Sequence, residues 1–238
     1  MSKSHNNFKI KLFTGLTFVI IATAVVFLTF SHKYFVVKII DIKGNEKISD
    51  REVVKRSGIR AGYTSMFFLE SRPEELISNN PWVSKVSIVK EFPDKVVIDI
   101  SESEPFCLTA DESDVPYYLT AEGKRIGRAS PEYGMDFPII RSEGKVKQNT
   151  LEEAVRLLKL SKSSSLLNWD EISEVRVNHD YGIRIITNDK RFIDFGKGNI
   201  LSKWYKVEKI ISHSRNIDLK EKYINVSSEK MSVINFNI

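Results

Sequence analysis

An uncharged run from Leu12 to Phe30, LFTGLTFVIIATAVVFLTF, leaves few options for the chain around it. As an α-helix rising ~1.5 Å per residue it reaches about 28 Å. A bilayer's hydrocarbon core is about 30 Å thick, so the run predicts one membrane-spanning helix over 12–31. Thr14, Thr17, Thr23 and Thr29 fit such a helix, because their hydroxyls can bond back to carbonyls of the preceding turn. The alternative is a cleaved signal peptide. Its apolar region usually spans about 7–15 residues before a small-residue cleavage site, and only Thr29-Phe30-Ser31 resembles one here. Lys3, Lys9 and Lys11 precede the run without an acid, which favours a cytoplasmic tail over 1–11. Lys33, Lys38 and Lys43 follow it with only Asp41 to offset them, so the charge bias is weak.

Past the span, the 238-residue chain has room for one large or two small domains. With 11 glycines and 7 prolines among recurring apolar residues, that region reads as folded rather than as a tether. The single cysteine, Cys107, excludes an intramolecular disulfide and a cysteine-based zinc site. A formal charge of +5 is modest, and the basic residues alternate with acids. That pattern suits a solvated surface near anionic lipid or cell-wall polymer better than a nucleic-acid patch. No internal repeat of fixed period is present, and Ser161–Ser165 reads as a loop after a helix.

The first folded unit opens with a β-branched strand, Phe35 to Ile42, closed by Gly44-Asn45. Ser49 and Glu52 form a capping box that starts a helix through Val53-Val54-Lys55, with Gly58 at a left-handed C-terminal cap. A second box at Ser71 and Glu74 encloses Pro73, and its helix should stop near Asn79-Asn80 ahead of Pro81. Two strands follow, Trp82–Lys90 and Val96–Ser101, joined by a turn at Phe92-Pro93-Asp94-Lys95. Val86 and Ile88 share a face in the first, and Val96, Ile98 and Ile100 in the second. The order is β-α-α-β-β, with both helices able to cover one face of a three-stranded sheet.

These residues resemble the POTRA domain of the bacterial division protein FtsQ, called DivIB in some lineages. The likeness rests on Gly44-Asn45, Ile48-Ser49, Gly58, Pro81-Trp82-Val83, Phe92-Pro93 and Glu104-Pro105, in that order directly after an apolar span. A generic POTRA of an outer-membrane assembly or secretion protein is the competing reading, but those lead into a barrel of many strands for which 238 residues leave no room. The resemblance implies a POTRA domain over 35–104 and a C-terminal β domain over 105–238.

That second unit reads as a hairpin around Ala121-Glu122-Gly123, flanked by Tyr117–Thr120 and Lys124–Ile126, then an extended piece, Phe137–Ile140. A third capping box, Thr150 and Glu153, opens a helix with Leu151, Ala154, Val155 and Leu158 on one face. Strands follow at Ile172–Val177, Ile183–Thr187 and Arg191–Phe195, the last two paired around Asn188-Asp189-Lys190. A helix groups Ile200, Trp204, Val207 and Ile211, with Lys203, Lys206 and Lys209 turned outward. Tyr223–Ser227 and Met231–Phe236 form the last hairpin. The fold class is therefore α+β: one N-terminal helix, a POTRA domain, and a mixed β-sheet domain with flanking helices. The stretches YYLTAEGKRI, FIDFGK and KYINVSSEKMSVI are also similar to FtsQ, and the likeness is weakest between Ser142 and Asp170.

No catalytic constellation emerges. Asp194-Phe195-Gly196 spells a kinase magnesium motif, but the glycine-rich loop, strand lysine and catalytic loop of a kinase are missing. Gly196-Lys197-Gly198-Asn199 lacks the spacing of a phosphate loop. His5, His32, His179 and His213 include no pair at metal-ligand spacing on one helix face. His179-Asp180 reads as a solvated turn, Cys107 as a small buried hydrophobe, Asn225-Val226-Ser227 as a chance glycosylation sequon, and Trp82 and Trp204 as core. No cofactor, metal or small-molecule substrate is expected.

What remains is a sheet edge. A last strand with one free side can accept a strand from another protein through its main chain. The FtsQ resemblance implies that this edge pairs with FtsB, itself coiled with FtsL, in a complex that controls septal peptidoglycan synthesis. Carried over residue by residue, the contact comprises Ser227, Ser228, Glu229, Lys230, Met231, Ser232 and Val233, with Tyr223 beside them. Where the family often has D-L-R-Y, this chain has Asn225-Val226-Ser227-Ser228, so the arginine and aromatic anchors are absent and Tyr223, Lys222 or Lys230 would have to replace them. The expectation is a non-enzymatic, single-pass scaffold in the plasma (inner) membrane at the division septum, its large domain extracytoplasmic. A POTRA-bearing secretion or chaperone subunit and a membrane-anchored cell-wall hydrolase are the rivals.

Overall fold

The computed structural model describes residues 3–110, 114–144 and 148–236, and within these the side chains of residues 3–12, 28–33 and 148 are excluded. Lys3, Lys9, Lys11 and Lys33, which carry the orientation argument, and His5 and His32 therefore have side chains outside the described residues. Helix α1 runs Lys3–Tyr34. Its threonines bond as expected: the Thr17 hydroxyl donates to the Phe13 carbonyl at 2.8 Å and that of Thr23 to Val19 at 2.7 Å. Phe13, Phe18, Ile21 and Phe27 are all exposed. Among the described residues, no helix is long and apolar enough to cross a membrane.

The chain divides into two compact units, Met1–Glu102 and Ser103–Ile238. Beyond α1, the first contains β1 (Ile39–Lys43), α2 (Asp50–Ser57), α3 (Ser71–Ser78), β2 (Val83–Glu91) and β3 (Lys95–Glu102). β3 lies between the others, parallel to β1 and antiparallel to β2. Val37, Val53, Ile77, Val96, Ile98 and Ile100 form its core. Two sequence features have direct causes. Gly44 sits at φ 77°, and a Cβ there would lie 2.1 Å from the Ile100 carbonyl oxygen, so only glycine lets this turn cross β3. Glu102 then holds the turn from the other side, its Oε1 accepting the N–H groups of Glu46, Lys47 and Ile48 at 2.8–3.0 Å.

The helix caps differ from the expected boxes. Ser49 does cap α2, accepting the Glu52 N–H at 3.3 Å, and Gly58 is left-handed at φ 69°. The Glu52 carboxylate, however, turns to Arg56 and Asn80 rather than back to the cap. Ser71 is not a cap, because the chain is already helical at Glu70. Glu74 instead reaches across to β2, where it accepts the Ile88 N–H at 2.9 Å.

The second unit contains β4 (Cys107–Ala110), β5 (Pro116–Leu119), β6 (Arg125–Arg128), β7 (Ile139–Glu143), α4 (Gln148–Lys162), β8 (Ile172–Asn178), β9 (Gly182–Thr187), β10 (Phe192–Gly196), α5 (Ile200–Asn216), β11 (Glu221–Asn225) and β12 (Val233–Phe236). α4 starts two residues before Thr150, so Thr150 lies inside its first turn and is not its cap. The strands form one nine-stranded sheet in the order β12-β11-β10-β9-β8-β7-β4-β5-β6. β7 and β8 are parallel, as are β10 and β11, and β9 runs against both β8 and β10. The connections through α4 and α5 therefore leave strands of the same direction and move the same way, toward β12. Right-handed crossovers then place both helices on one face. The core confirms it: Ala154, Leu158, Trp204 and Val207 pack with Ile140, Val175, Ile185, Ile193 and Ile224.

Candidate partner-binding edge

β12 ends the sheet, with β11 as its neighbour on one side, and among the described residues no strand lies beyond it. The direction of its polar groups follows from the ladder. The Val226 N–H donates to the Asp194 carbonyl at 2.8 Å, toward β10. Successive residues of a strand alternate between its two sides, so Tyr223 and Asn225 direct their main-chain groups to β12. Asn225 pairs with Val233 and Tyr223 with Asn235, so those two residues bond inward. The N–H and C=O of Ile234 are left pointing out of the sheet. Its side chain lies beside fully buried Ile224, which keeps the strand seated.

The residues carried over from the family fall around this edge in different ways. Tyr223 is on β11, half-buried, and its hydroxyl donates to Asp194 Oδ2 at 2.7 Å. Burial, then that hydrogen bond, raises the phenol above its ordinary pKa. Asn225 Nδ2 donates to the same hydroxyl at 2.8 Å, and Arg184 grips Asp194 from β9, its Nη2 at 2.9 Å from Oδ2. Ser227, Ser228, Glu229, Lys230, Met231 and Ser232 form the exposed turn between β11 and β12, and Val233 is the first residue of the edge strand. β11 stops because Asn225 Oδ1 accepts both the N–H and the hydroxyl of Ser227, at 2.9 and 2.7 Å. The turn is fastened to α5 by Lys206, whose ammonium donates to the Glu229 carbonyl. Gly196 makes room for it: a Cβ there would lie 2.7 Å from that of Ser227. Met231 and Val233 are 73% and 61% exposed, unusual for apolar side chains in a turn and an edge strand.

Sequence reasoning missed Ile234, whose outward role needs the register and not merely the alternation Val233–Phe236. It also placed Lys203 outside. Lys203 is fully buried, three residues from Ile200 on the apolar side of α5, and its ammonium donates to the Lys197 carbonyl. Burial lowers its pKa.

The other residues singled out in the sequence sit in structural contacts. Asp194, the first residue of the kinase-like tripeptide, is the hub of the Arg184–Tyr223 contacts, and Phe195 stacks on Trp204 with centroids 6.2 Å apart. Cys107 is buried on β4, and burial pushes its thiol up to about 12, far from the thiolate a nucleophile needs. Among the described residues, no group of three His, Cys, Asp or Glu side chains could hold a metal ion.

The family model for the POTRA domain of FtsQ type matches residues 35–103. Beyond it, 167 residues are 29% identical to Cell division protein FtsQ of Syntrophotalea carbinolica, covering 66% of this chain and 58% of that one. Cell division protein DivIB of Clostridium tetani is 23% identical over 237 residues, 91% of this chain and 85% of the relative. These matches support the FtsQ/DivIB family for this chain. A second FtsQ, from Geotalea daltonii, is 27% identical over 65% of this chain. The match spans 58% of the length of each of these two FtsQ relatives. The first unit carries the POTRA fold of the FtsQ type.

Proposed function

We propose that this FtsQ/DivIB protein is a non-enzymatic, single-pass scaffold of the division machinery whose β12 edge receives a strand from FtsB, in complex with FtsL. On this reading α1 anchors the chain in the plasma membrane with a cytoplasmic N-terminus, and both folded units lie outside at the septum. The POTRA unit docks other division proteins near the membrane, and the edge couples the chain to control of septal peptidoglycan synthesis. The observation that carries the reading is β12 itself, the terminal strand of a nine-stranded sheet with the Ile234 main chain directed outward. Strand addition draws its affinity from such groups, and neighbouring side chains set the specificity. Tyr223, Ser227–Ser232 and Val233 border the incoming strand, and exposed Met231 and Val233 offer apolar area in place of the family's missing arginine and aromatic.

The test is binding of the full chain in nanodiscs to the outer segments of FtsB–FtsL. Ile234→Pro removes an outward N–H and should weaken binding at least tenfold, about 1.4 kcal/mol, while the domain stays folded. Ser232→Pro, in the turn before the strand, should bind nearly as well as the parent. Equal binding by parent and Ile234→Pro would refute strand addition at β12.

A further inference from the structure

Three aromatic rings gather where the POTRA unit begins, and the sheet edge has no part in their arrangement. Phe35 and Phe67 have centroids 5.6 Å apart, and Phe92 lies 6.0 Å from each. Phe67 is 62% exposed and Phe92 56%, so these two rings lie at the surface, against half-buried Phe35, which packs on the core. Exposed Tyr34 and Leu69 lie close by in sequence to Phe35 and Phe67.

Main-chain bonds hold the three rings together from separate segments. The Met66 N–H donates to the Phe35 carbonyl at 2.8 Å, Val37 to Thr64 at 2.9 Å and Gly62 to Val37 at 2.7 Å, zipping the 62–66 loop onto the chain that leaves α1. The Lys38 and Ile39 N–H groups both donate to the Asp94 carbonyl, at 2.7 and 3.1 Å, which ties the Phe92 turn to the same segment. Phe35 follows Tyr34, the last residue of the apolar helix, by one peptide, about 3.8 Å between Cα atoms. A helix whose apolar run fills the hydrocarbon layer would leave Phe35 at the headgroup level, where aromatic side chains concentrate. Lys38, three residues after Phe35, pairs with Asp94 at 2.9 Å, the same residue that ties the Phe92 turn to this segment.

We propose that Phe35, Phe67 and Phe92 form a lipid-contact patch that seats the POTRA unit against the bilayer interface. This rests on the reading of α1 as a membrane anchor, and the test separates the two. The full chain is reconstituted in phosphatidylcholine nanodiscs with or without bromine on the upper acyl chain. Tryptophan is placed singly at Phe18→Trp in α1, Phe67→Trp or Phe92→Trp in the patch, and Tyr181→Trp in the second unit, and the parent's emission is subtracted. Brominated lipid should remove the added emission of Phe18→Trp, Phe67→Trp and Phe92→Trp and leave that of Tyr181→Trp. Quenching of Phe18→Trp alone, with both patch tryptophans open to aqueous iodide, would overturn the patch and keep the anchor. Patch tryptophans shielded from both quenchers would also overturn it, in favour of a protein contact. No quenching at Phe18→Trp would overturn the anchor and the patch with it.

Discussion

The two sheets end differently. At the outer side of β2 in the POTRA unit, the Ile88 N–H is taken by the Glu74 carboxylate from α3 at 2.9 Å. Two residues on, Lys90 donates to the Phe68 carbonyl, pairs with Glu70 at 2.9 Å and lies over the Phe68 ring at 4.4 Å. The 68–74 segment therefore covers the end of β2 with its own polar groups. At β12 the outward groups of Ile234 have no such cover among the described residues. Edges invite pairing with other chains unless they are blunted, so this molecule closes one of these two edges and leaves the other available. The Ile88 N–H is closed off by Glu74, an acid that sequence alone reads as a capping residue.

Three changes probe that contrast. The largest effect concerns what holds the open edge in place. Glu221 begins β11 and is buried against Arg191, their nearest charged atoms 3.7 Å apart, with Arg191 Nε and Nη1 and Glu221 Oε1 lacking hydrogen-bond partners among the described residues. Glu221→Ala leaves the guanidinium buried with, among the described residues, Asp189 at 3.6 Å as its remaining acid. It should cost the second unit about 3 kcal/mol in denaturant unfolding and loosen β11 and β12, with the POTRA unit unaffected. A loss below 1 kcal/mol would mean the pair does not hold the edge.

Glu74→Ala should be milder. It uncovers the Ile88 N–H and should destabilise the POTRA unit by about 1.5 kcal/mol. The Ile88 amide should then exchange with solvent as an edge amide does. Unchanged exchange at Ile88 would show that something other than Glu74 closes that edge.

The smallest effect is a pH dependence. Burial alone would raise the Asp189 pKa, but the Thr187 hydroxyl, Lys220 and Arg191 outweigh it and hold the carboxyl at about 2. A carboxyl depressed on folding contributes stability above its unfolded pKa, about 3.9, and loses it as pH falls through the folded value. Between about pH 4 and 2 the parent should therefore lose stability that Asp189→Asn does not. The side chain is 36% exposed, so after solvent screening the difference should be about 1 kcal/mol.

Much of the fold was legible where one residue has one physical job. Gly44, Gly58, the 92–95 turn and the Asn188-Asp189-Lys190 loop each mark a backbone turn, and the structure turns there. The apolar face of α5 was legible from spacing, but Lys203, expected outward, is buried, where the Lys197 carbonyl just before the helix accepts from its ammonium. Glu52 and Glu74 look alike in sequence as third residues after a serine, but one serves a side-chain pair and the other a neighbouring strand. Local pattern cannot separate those uses, because the competing partner comes from elsewhere in the fold. The edge was legible only in outline: a terminal hairpin follows from alternation, whereas the outward direction of Ile234 depends on the Val226–Asp194 bond between β11 and β10.

The most direct measurement is residue-resolved amide exchange of the full chain in nanodiscs, with and without the outer segments of FtsB–FtsL. The Val233 amide, bonded inward, should be protected in both states, and the Ile234 amide should be fast alone and slow in the complex. Protection appearing at β2 instead, or an Ile234 amide that is already slow alone, would contradict the account of β12 as the open, partner-accepting edge.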